Sequence, residues 1–226
     1  DMTTVISAAE AELLHQIDPG LRLAVIPFVR DIPGRKCPFS ERKDIVFIGG
    51  FEHTPNIDAV EYFVNEIWPL VRCSLPDVQF LIIGSKMPDR IKAMQHQAGV
   101  VAVGFVQDLA EYFDYCKLTV VPLRFGAGIK GKIGTSASYG VPSVATTLAI
   151  EGMGLVDGEH ILVADDPQTF AERVVRLYTD DRIWEKLSQA SLFYVREQYS
   201  LAAGKRRIKR LLEDIGETFD GAEAVR

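Results

Sequence analysis

Short apolar runs alternate with longer amphipathic stretches along most of this chain. The apolar runs are rich in Val and Ile without strict polar alternation, which is typical of strands buried on both faces. They span residues 23–28, 44–50, 78–84, 100–105, 118–123, 142–146 and 160–164. The clearest helical stretch covers residues 56–73, where Val60, Val64 and Ile67 share one face. This order predicts an α/β fold with a doubly wound parallel sheet covered by helices.

The composition excludes several classes of protein. Hydrophobic residues make up 47% of the 226 residues, and the formal net charge is −6. An acidic chain is a poor candidate for general nucleic-acid binding, so we expect no nucleic-acid partner. Cys37, Cys73 and Cys116 have no C-x-x-C spacing, which disfavours a disulfide framework or a zinc site and predicts a cytoplasmic protein. No apolar run has the length of a membrane span, about 18–20 residues.

The two ends of the chain differ from its middle. The stretch RDIPGRKCPFSERKD, residues 30–44, has the Pro, Gly and charges of a domain boundary. The opening DMTTVISAAEAELL resembles the end of a folded domain, so we expect the chain to be a piece of a longer protein. The predicted parts are a remnant of a preceding domain with its linker (1–40), a strand–helix domain (41–200) and a C-terminal helix (201–226).

Glycines follow several of the predicted strands. Sheets of this type bind ligands at the carboxyl ends of their strands, so these loops are the places to search for a site. The glycines are Gly49, Gly50, Gly84 and Gly104, and Ser85 stands just outside the same strand end as Gly84. Each glycine alone requires only a tight turn, but four such loops on one sheet edge, counting the loop at residues 126–131, favour binding. None matches G-x-G-x-x-G, which disfavours an NAD enzyme.

The loop RFGAGIKGKIGT, residues 124–135, indicates a phosphate site. Glycines let a phosphate approach the start of the next helix, and Lys130 and Lys132 supply positive charge. The loop is not a P-loop, because Ile133 replaces the Ser or Thr that binds Mg²⁺ and the loop follows the fifth predicted strand. No D-x-D sequence or histidine cluster occurs. We therefore expect a diphosphate site without a metal or cofactor, neutralised by lysines and a helix dipole.

Several linked segments resemble one family. PLRFGAGIKGKIGTSASYGVPSVATTLAIEGM (122–153) and DGEHILVADDPQTFAERVVRLYTD (157–180) are similar to the C-terminal domain of retaining glycosyltransferases of the GT-B fold, family 4 (glycosyl transferases group 1). Residues 47–85 and 103–123 fit the same domain in order, so the resemblance covers about residues 44–200. It implies a Rossmann-like, nucleotide-sugar-binding domain, the C-terminal half of a two-domain GT-B architecture.

The resemblance also implies roles for individual residues. Lys130 would contact the diphosphate, with Lys132 as the second candidate. The backbone around Phe105 and Val106 would meet the base. The other implied ligand contacts are Gly49, Gly50 and Asn56 beside the phosphates or sugar, Gly84 and Ser85 at the next strand end, and Thr135 and Ser136 near the ribose.

One part of the family pattern is missing. Its E-x7-E glutamates contact the transferred sugar and the ribose, but the corresponding residues here are Ala127 and Thr135. Glu151 is the nearest later acid, and we place it with Lys130 as a catalytic candidate. A helix-capping or exposed glutamate is the alternative interpretation of Glu151.

The resemblance implies transfer of a hexosyl group from a UDP- or GDP-sugar to an acceptor hydroxyl, with retention and without a metal. The acceptor would be a glycan, a lipid-linked sugar or a small molecule held by an N-terminal domain, and this chain alone would be inactive. Two alternatives stay open: a nucleotide-sugar epimerase of the same architecture, and a non-catalytic module that binds nucleotide sugars.

The segment KRRIKR, residues 205–210, precedes an apolar stripe that includes Leu211, Leu212 and Ile215. Basic and apolar residues on one helix are typical of peripheral contact with anionic lipid, here the inner face of the membrane. A solvated face on a terminal helix is the other interpretation, and it is the one we favour.

Overall fold

Residues 2–216 are described by a computed structural model. They form two compact units, one spanning Pro33–Tyr194 and the other combining the segment up to Ile32 with the residues from Val195 onward. The sequence instead separated the first 40 residues from a last helix at 201–226, and the part of that helix beyond Gly216 lies outside the described residues.

The described chain contains eight strands and ten α-helices. The strands are β1 (Thr3–Val5), β2 (Leu23–Val25), β3 (Lys43–Ile48), β4 (Phe80–Ile83), β5 (Val100–Gly104), β6 (Cys116–Val121), β7 (Ser143–Ala145) and β8 (Leu162–Val163). The helices are α1 (Ala8–Ile17), α2 (Thr54–Tyr62), α3 (Trp68–Ser74), α4 (Asp89–Lys92), α5 (Ala110–Tyr115), α6 (Gly131–Ser138), α7 (Thr147–Ile150), α8 (Pro167–Thr179), α9 (Asp181–Tyr199) and α10 (Leu201–Asp214). Short 3₁₀ turns occupy Phe39–Glu41 and Ala93–His96.

The larger unit is built on a six-stranded parallel sheet. Its strand order is β5-β4-β3-β6-β7-β8, and every neighbouring pair runs parallel. The chain winds outward from β3 in one direction and from β6 in the other, so the order reverses between these two strands. That reversal leaves a crevice outside their carboxyl ends, which is where such sheets bind ligands. The predicted α/β Rossmann-like fold with a doubly wound sheet is confirmed.

The strands are shorter than the apolar runs that predicted them. The run 118–123 contributes β6 only up to Val121, because Pro122 follows and cannot donate to a neighbouring strand. Likewise β7 begins only after Pro142. The first predicted strand, 23–28, is not part of the large sheet at all: its residues 23–25 form β2, which pairs with β1 in the other unit.

One face of the large sheet carries an aromatic core. The fully buried rings of Phe63, Phe80 and Phe170 join the helices to β4, with 4.5 Å between the Phe63 and Phe80 centroids and 6.1 Å between those of Phe63 and Phe170. The helix predicted at 56–73 is present, with one π turn at Phe63–Ile67 between α2 and α3. Pro69 follows that turn, and a widened turn accommodates a residue that lacks an N–H.

The smaller unit contains a two-stranded parallel sheet, β1 with β2, connected by α1. Within it, α10 packs closely on the segment that follows β2: a Cβ added to Gly204 would lie 2.4 Å from Val29 Cγ2. Ile208 and Ile215 are exposed on α10. Among the described helices, none combines the length and the apolar character needed to cross a membrane. For residues 205–210 the solvated face stays the prediction, and contact with a membrane surface stays the alternative.

Candidate functional site

The carboxyl ends of β3 and β4 lie against each other without room for side chains. A Cβ added to Gly84 would lie 1.8 Å from the carbonyl oxygen of Gly49. A Cβ on Gly49 would in turn lie 2.8 Å from Asn56 Cγ. Ser85 continues this edge, since its carbonyl accepts a hydrogen bond of 3.0 Å from Phe51 N. These glycines therefore serve close packing of the strand ends and leave backbone at the floor of the crevice.

Asn56 joins the loop after β3 to the helix after β6. It lies in the first turn of α2, and its Nδ2 donates to Gly50 O at 2.7 Å. Its Oδ1 accepts a hydrogen bond from Lys132 Nζ. Three predicted site residues, distant in sequence, thus meet at the point where the strand order reverses.

Lys132 brings an ammonium group to this crevice. The residue is half-buried in the first turn of α6, and its Nζ lies 4.3 Å from the centre of the Phe47 ring. Burial, together with the charge of neighbouring Lys130, lowers the pKa of Lys132 to about 7. No carboxylate within the described residues pairs with this ammonium. A bound anion would supply the missing negative charge.

Lys130 holds the glycine-rich loop in shape. It stands immediately before α6, is only 8% exposed, and donates to Gly126 O at 3.1 Å and to Gly128 O at 2.6 Å. Both glycines have positive φ, 124° and 77°, which other residues rarely adopt. Burial lowers the pKa of the Lys130 ammonium, and the Glu151 carboxylate opposes that shift. Lys130 thus brings a second positive charge near Lys132.

Arg124, the other cation of this loop, is engaged elsewhere. Its guanidinium donates to both carboxylate oxygens of Asp58, at 2.6 and 3.0 Å, and lies 4.6 Å from the centre of the Tyr62 ring. The hydrogen bonds to Asp58 raise the pKa of Arg124. Arg124 therefore anchors the start of the loop on α2.

The two hydroxyl residues predicted near the ribose differ in position. Thr135 is half-buried, and its Oγ1 donates to Gly131 O at 3.0 Å. Ser136 has no exposed surface: its Oγ donates to Val141 O at 2.8 Å and lies 2.6 Å from Thr119 Oγ1. The expected ribose contact of Ser136 is corrected here, because the next position along a helix turns by about 100° and directs this residue toward the sheet.

We expect Ser136→Ala to lower stability and leave nucleotide affinity unchanged. The change removes a buried donor and leaves Val141 O without that partner, which costs about 1–3 kcal/mol. Urea denaturation monitored by circular dichroism gives the first quantity, and calorimetric titration with UDP gives the second. A loss of UDP affinity in a stably folded variant would instead indicate that Ser136 contacts the nucleotide.

The remaining predicted residues follow other elements of the larger unit, and two of them follow β5, which is separated from β3 by β4. Phe105 is 72% exposed beyond the end of β5, directly after Gly104 with φ of 84°. Val106 is half-buried against the apolar cluster on the second face of the sheet. Glu151 is exposed at the end of α7. Sequence reasoning missed the aromatic ring next to Lys132. Phe47 lies inside an apolar stretch typical of a buried strand, and no sequence pattern distinguishes it from its neighbours.

Within residues 2–216, no three His, Cys, Asp or Glu residues are grouped so as to hold a metal ion. The charge available to an anion at the crevice is instead that of two lysines near the start of α6.

An open parallel α/β sheet with lysines at the reversal of its strand order defines a Rossmann-like protein with a candidate anion site. The chain belongs to the family of glycosyl transferases group 1, whose model matches residues 42–180, more than half of the sequence. The match runs from β3 to the end of α8 and contains every predicted site residue.

Solved structures share the fold at low identity. S. aureus TarM, solved as a mutant in complex with Fondaparinux, alpha-GlcNAc-glycerol and UDP, superposes with a TM-score of 0.76 at 18% identity, over 93% of this chain and 43% of that chain. Sucrose-phosphate synthase from Thermosynechococcus elongatus gives 0.73 at 18% identity, over 96% of this chain and 58% of that chain.

A sequence relative is an uncharacterised protein of the cps region of Klebsiella pneumoniae. It is 20% identical over 164 residues, which are 69% of this chain and 42% of that protein. This chain therefore spans less than two thirds of the length of each of these three proteins.

Proposed function

We propose that this chain is the donor-binding, C-terminal domain of a retaining, family 4 glycosyltransferase. The full enzyme would transfer a hexosyl group from a UDP- or GDP-sugar to an acceptor hydroxyl without a metal. The observation that carries the proposal is the meeting of Gly50, Asn56 and Lys132 at the reversal of strand order, with Lys130 beside them. The family match and the UDP bound to TarM support the same assignment.

The lysines would act on the leaving group. Departure of the sugar leaves additional negative charge on the nucleoside diphosphate. Ammonium groups already in place, together with the positive end of the α6 dipole, stabilise that charge without reorganising solvent. The close packing at Gly49 and Gly84 keeps the floor of the crevice free of side chains, so that phosphate oxygens can approach the backbone.

Recognition of the donor sugar would use fewer carboxylates than the family pattern implies. Ala127 and Thr135 occupy the glutamate positions, so Glu151 is the acid we propose for sugar hydroxyls, on the strength of its electrostatic interaction with Lys130. Thr135 is the proposed ribose contact, and the backbone at Phe105 and Val106 the proposed base contact. A second domain would hold the glycan, lipid-linked or small-molecule acceptor.

The proposal predicts preferential binding of nucleoside diphosphates. UDP or GDP should bind at least tenfold more tightly than the matching monophosphate, because the diphosphate adds a charge-assisted contact worth about 1.5–3 kcal/mol. Calorimetry with UDP, GDP, ADP and TDP identifies the base, and repeating the best titration with EDTA tests the independence from metals. Equal affinity for mono- and diphosphates would contradict a diphosphate site.

Activity must be measured on the full-length protein. Sugar transfer to an acceptor, with the anomeric configuration read by NMR, identifies a retaining transferase. Conversion of a nucleotide sugar to an isomer without an acceptor would identify an epimerase. Binding without either reaction would identify a non-catalytic module.

A further inference from the structure

Asn56 has both ends of its side-chain amide occupied by protein groups. Nδ2 donates to Gly50 O at 2.7 Å, Oδ1 accepts from Lys132 Nζ, and the residue is only 8% exposed. Because a carbonyl only accepts and an ammonium only donates, these two partners determine which end of the amide is the oxygen. With both ends of its amide occupied, Asn56 affects a ligand by positioning Lys132 and the Gly50 backbone.

We infer that Asn56 is a positioning residue, whose amide aims the Lys132 ammonium at the crevice and leaves its charge for a nucleoside diphosphate to neutralise. The inference rests on the proposed function, since it assigns how that site obtains its affinity. An aspartate has nearly the same shape as asparagine but would pair with the ammonium. What matters for function is therefore that the side chain of Asn56 carries no charge.

Few groups around Lys132 could position its ammonium in place of Asn56. From β3 it faces the ring of Phe47, from α2 the amide of Asn56, and from the start of its own helix the ammonium of Lys130. The Glu151 carboxylate acts electrostatically on Lys130, and the charge of Lys130 acts on Lys132. Burial and Lys130 lower the pKa of Lys132 to about 7, so its charge changes near neutral pH.

The sign of the expected pH dependence follows from the charge. The ammonium form attracts the diphosphate, and a bound diphosphate raises the lysine pKa. Affinity is therefore full below about pH 7 and declines as the pH rises above the pKa of the free site. Between pH 7 and 8 the dissociation constant for UDP should rise by about fivefold. The terminal phosphate of UDP adds little to this slope, because its second pKa is about 6.

The test compares Asn56→Asp with Asn56→Ala. Both variants lose the hydrogen bond to Gly50 O, but only the first introduces a carboxylate. We expect Asn56→Ala to bind UDP about five- to tenfold more weakly and to keep the wild-type slope between pH 7 and 9. Asn56→Asp should bind more weakly still at pH 7, with a flat slope, because the carboxylate keeps Lys132 protonated. Calorimetric titration at four pH values measures both quantities.

Lys132→Met is the control for the origin of the slope, and it should flatten the pH dependence. A slope that persists in Lys132→Met, or that is equal in the two Asn56 variants, would overturn the inference. Unchanged UDP affinity in Asn56→Ala would also overturn the inference. This measurement remains informative even if Asn56→Asp fails to fold.

A second readout requires no nucleotide. The ¹³Cε resonances of labelled lysines, assigned with Lys132→Met, follow the titration of Lys132 in the free protein. We expect a midpoint near pH 7 in the wild type and at least one unit higher in Asn56→Asp. If UDP does not bind at all, the proposed function fails, and equal midpoints would separately reject the role of Asn56.

Discussion

Lys130→Met should weaken UDP binding by about 10- to 100-fold and reduce sugar transfer by the full-length protein at least as much. A charge-assisted hydrogen bond is worth about 1.5–3 kcal/mol, which corresponds to that range of dissociation constants. Methionine keeps the apolar stem and removes the ammonium. The released carbonyls of Gly126 and Gly128 can bond to water, because that loop is partly exposed.

Calorimetry on the folded variant measures the affinity, and a matched control is Lys92→Met. Lys92 is exposed and pairs only with Asp89 in the described part of the chain, so its replacement removes one charge without touching the crevice. We expect its UDP affinity to equal that of the wild type. Wild-type affinity in Lys130→Met would instead show that the loop binds no diphosphate.

Gly84→Ala should be the most destabilising single substitution at the site. The new Cβ would lie 1.8 Å from the carbonyl oxygen of Gly49 and 2.9 Å from its carbon, so one of the two strand ends must move. Forcing a backbone shift in a packed region costs about 1–3 kcal/mol, and sometimes more. The melting temperature should therefore fall by about 6–12 °C if the cost is near 3 kcal/mol.

Gly50→Ala provides the comparison for stability. Its added Cβ would have its nearest contact at 3.5 Å, with Ser85 Oγ, which is an ordinary van der Waals distance. We expect this variant to lose less than about 1 kcal/mol in urea denaturation. Similar losses in the two variants would mean that the β3 and β4 ends are not packed backbone to backbone.

The sequence predicted the fold and the location of the site for physical reasons. Buried parallel strands require continuous apolar runs, and their carboxyl ends share one edge of the sheet, so the loops at Gly49, Gly84 and Lys130 had to lie near one another. The sequence did not predict which side chains pair when they are far apart along the chain. Arg124 could have joined the lysines, but Asp58 lies within its reach on α2.

The inward direction of Ser136 was also missed, although a signal was present. Thr119 interrupts the apolar run of β6, and a buried hydroxyl in a strand requires a partner. Which hydroxyl provides that partner depends on the rotation of α6 against the sheet. Spacing along the chain does not specify that rotation, so Thr135 and Ser136 could not be distinguished before the helix was in place.

The loop between Arg124 and Lys130 is fastened at both ends, by the ion pair with Asp58 and by the hydrogen bonds of the lysine. The carbonyls that hold Lys130 belong to Gly126 and Gly128, on either side of the exposed Ala127, so the side chain at position 127 can change without removing a partner of either cation. Under the proposed function, a substitution at position 127 would alter the preference for the donor sugar while Lys130 stays in place for the diphosphate. For enzyme engineering, Ala127 is accordingly the position at which to install a carboxylate.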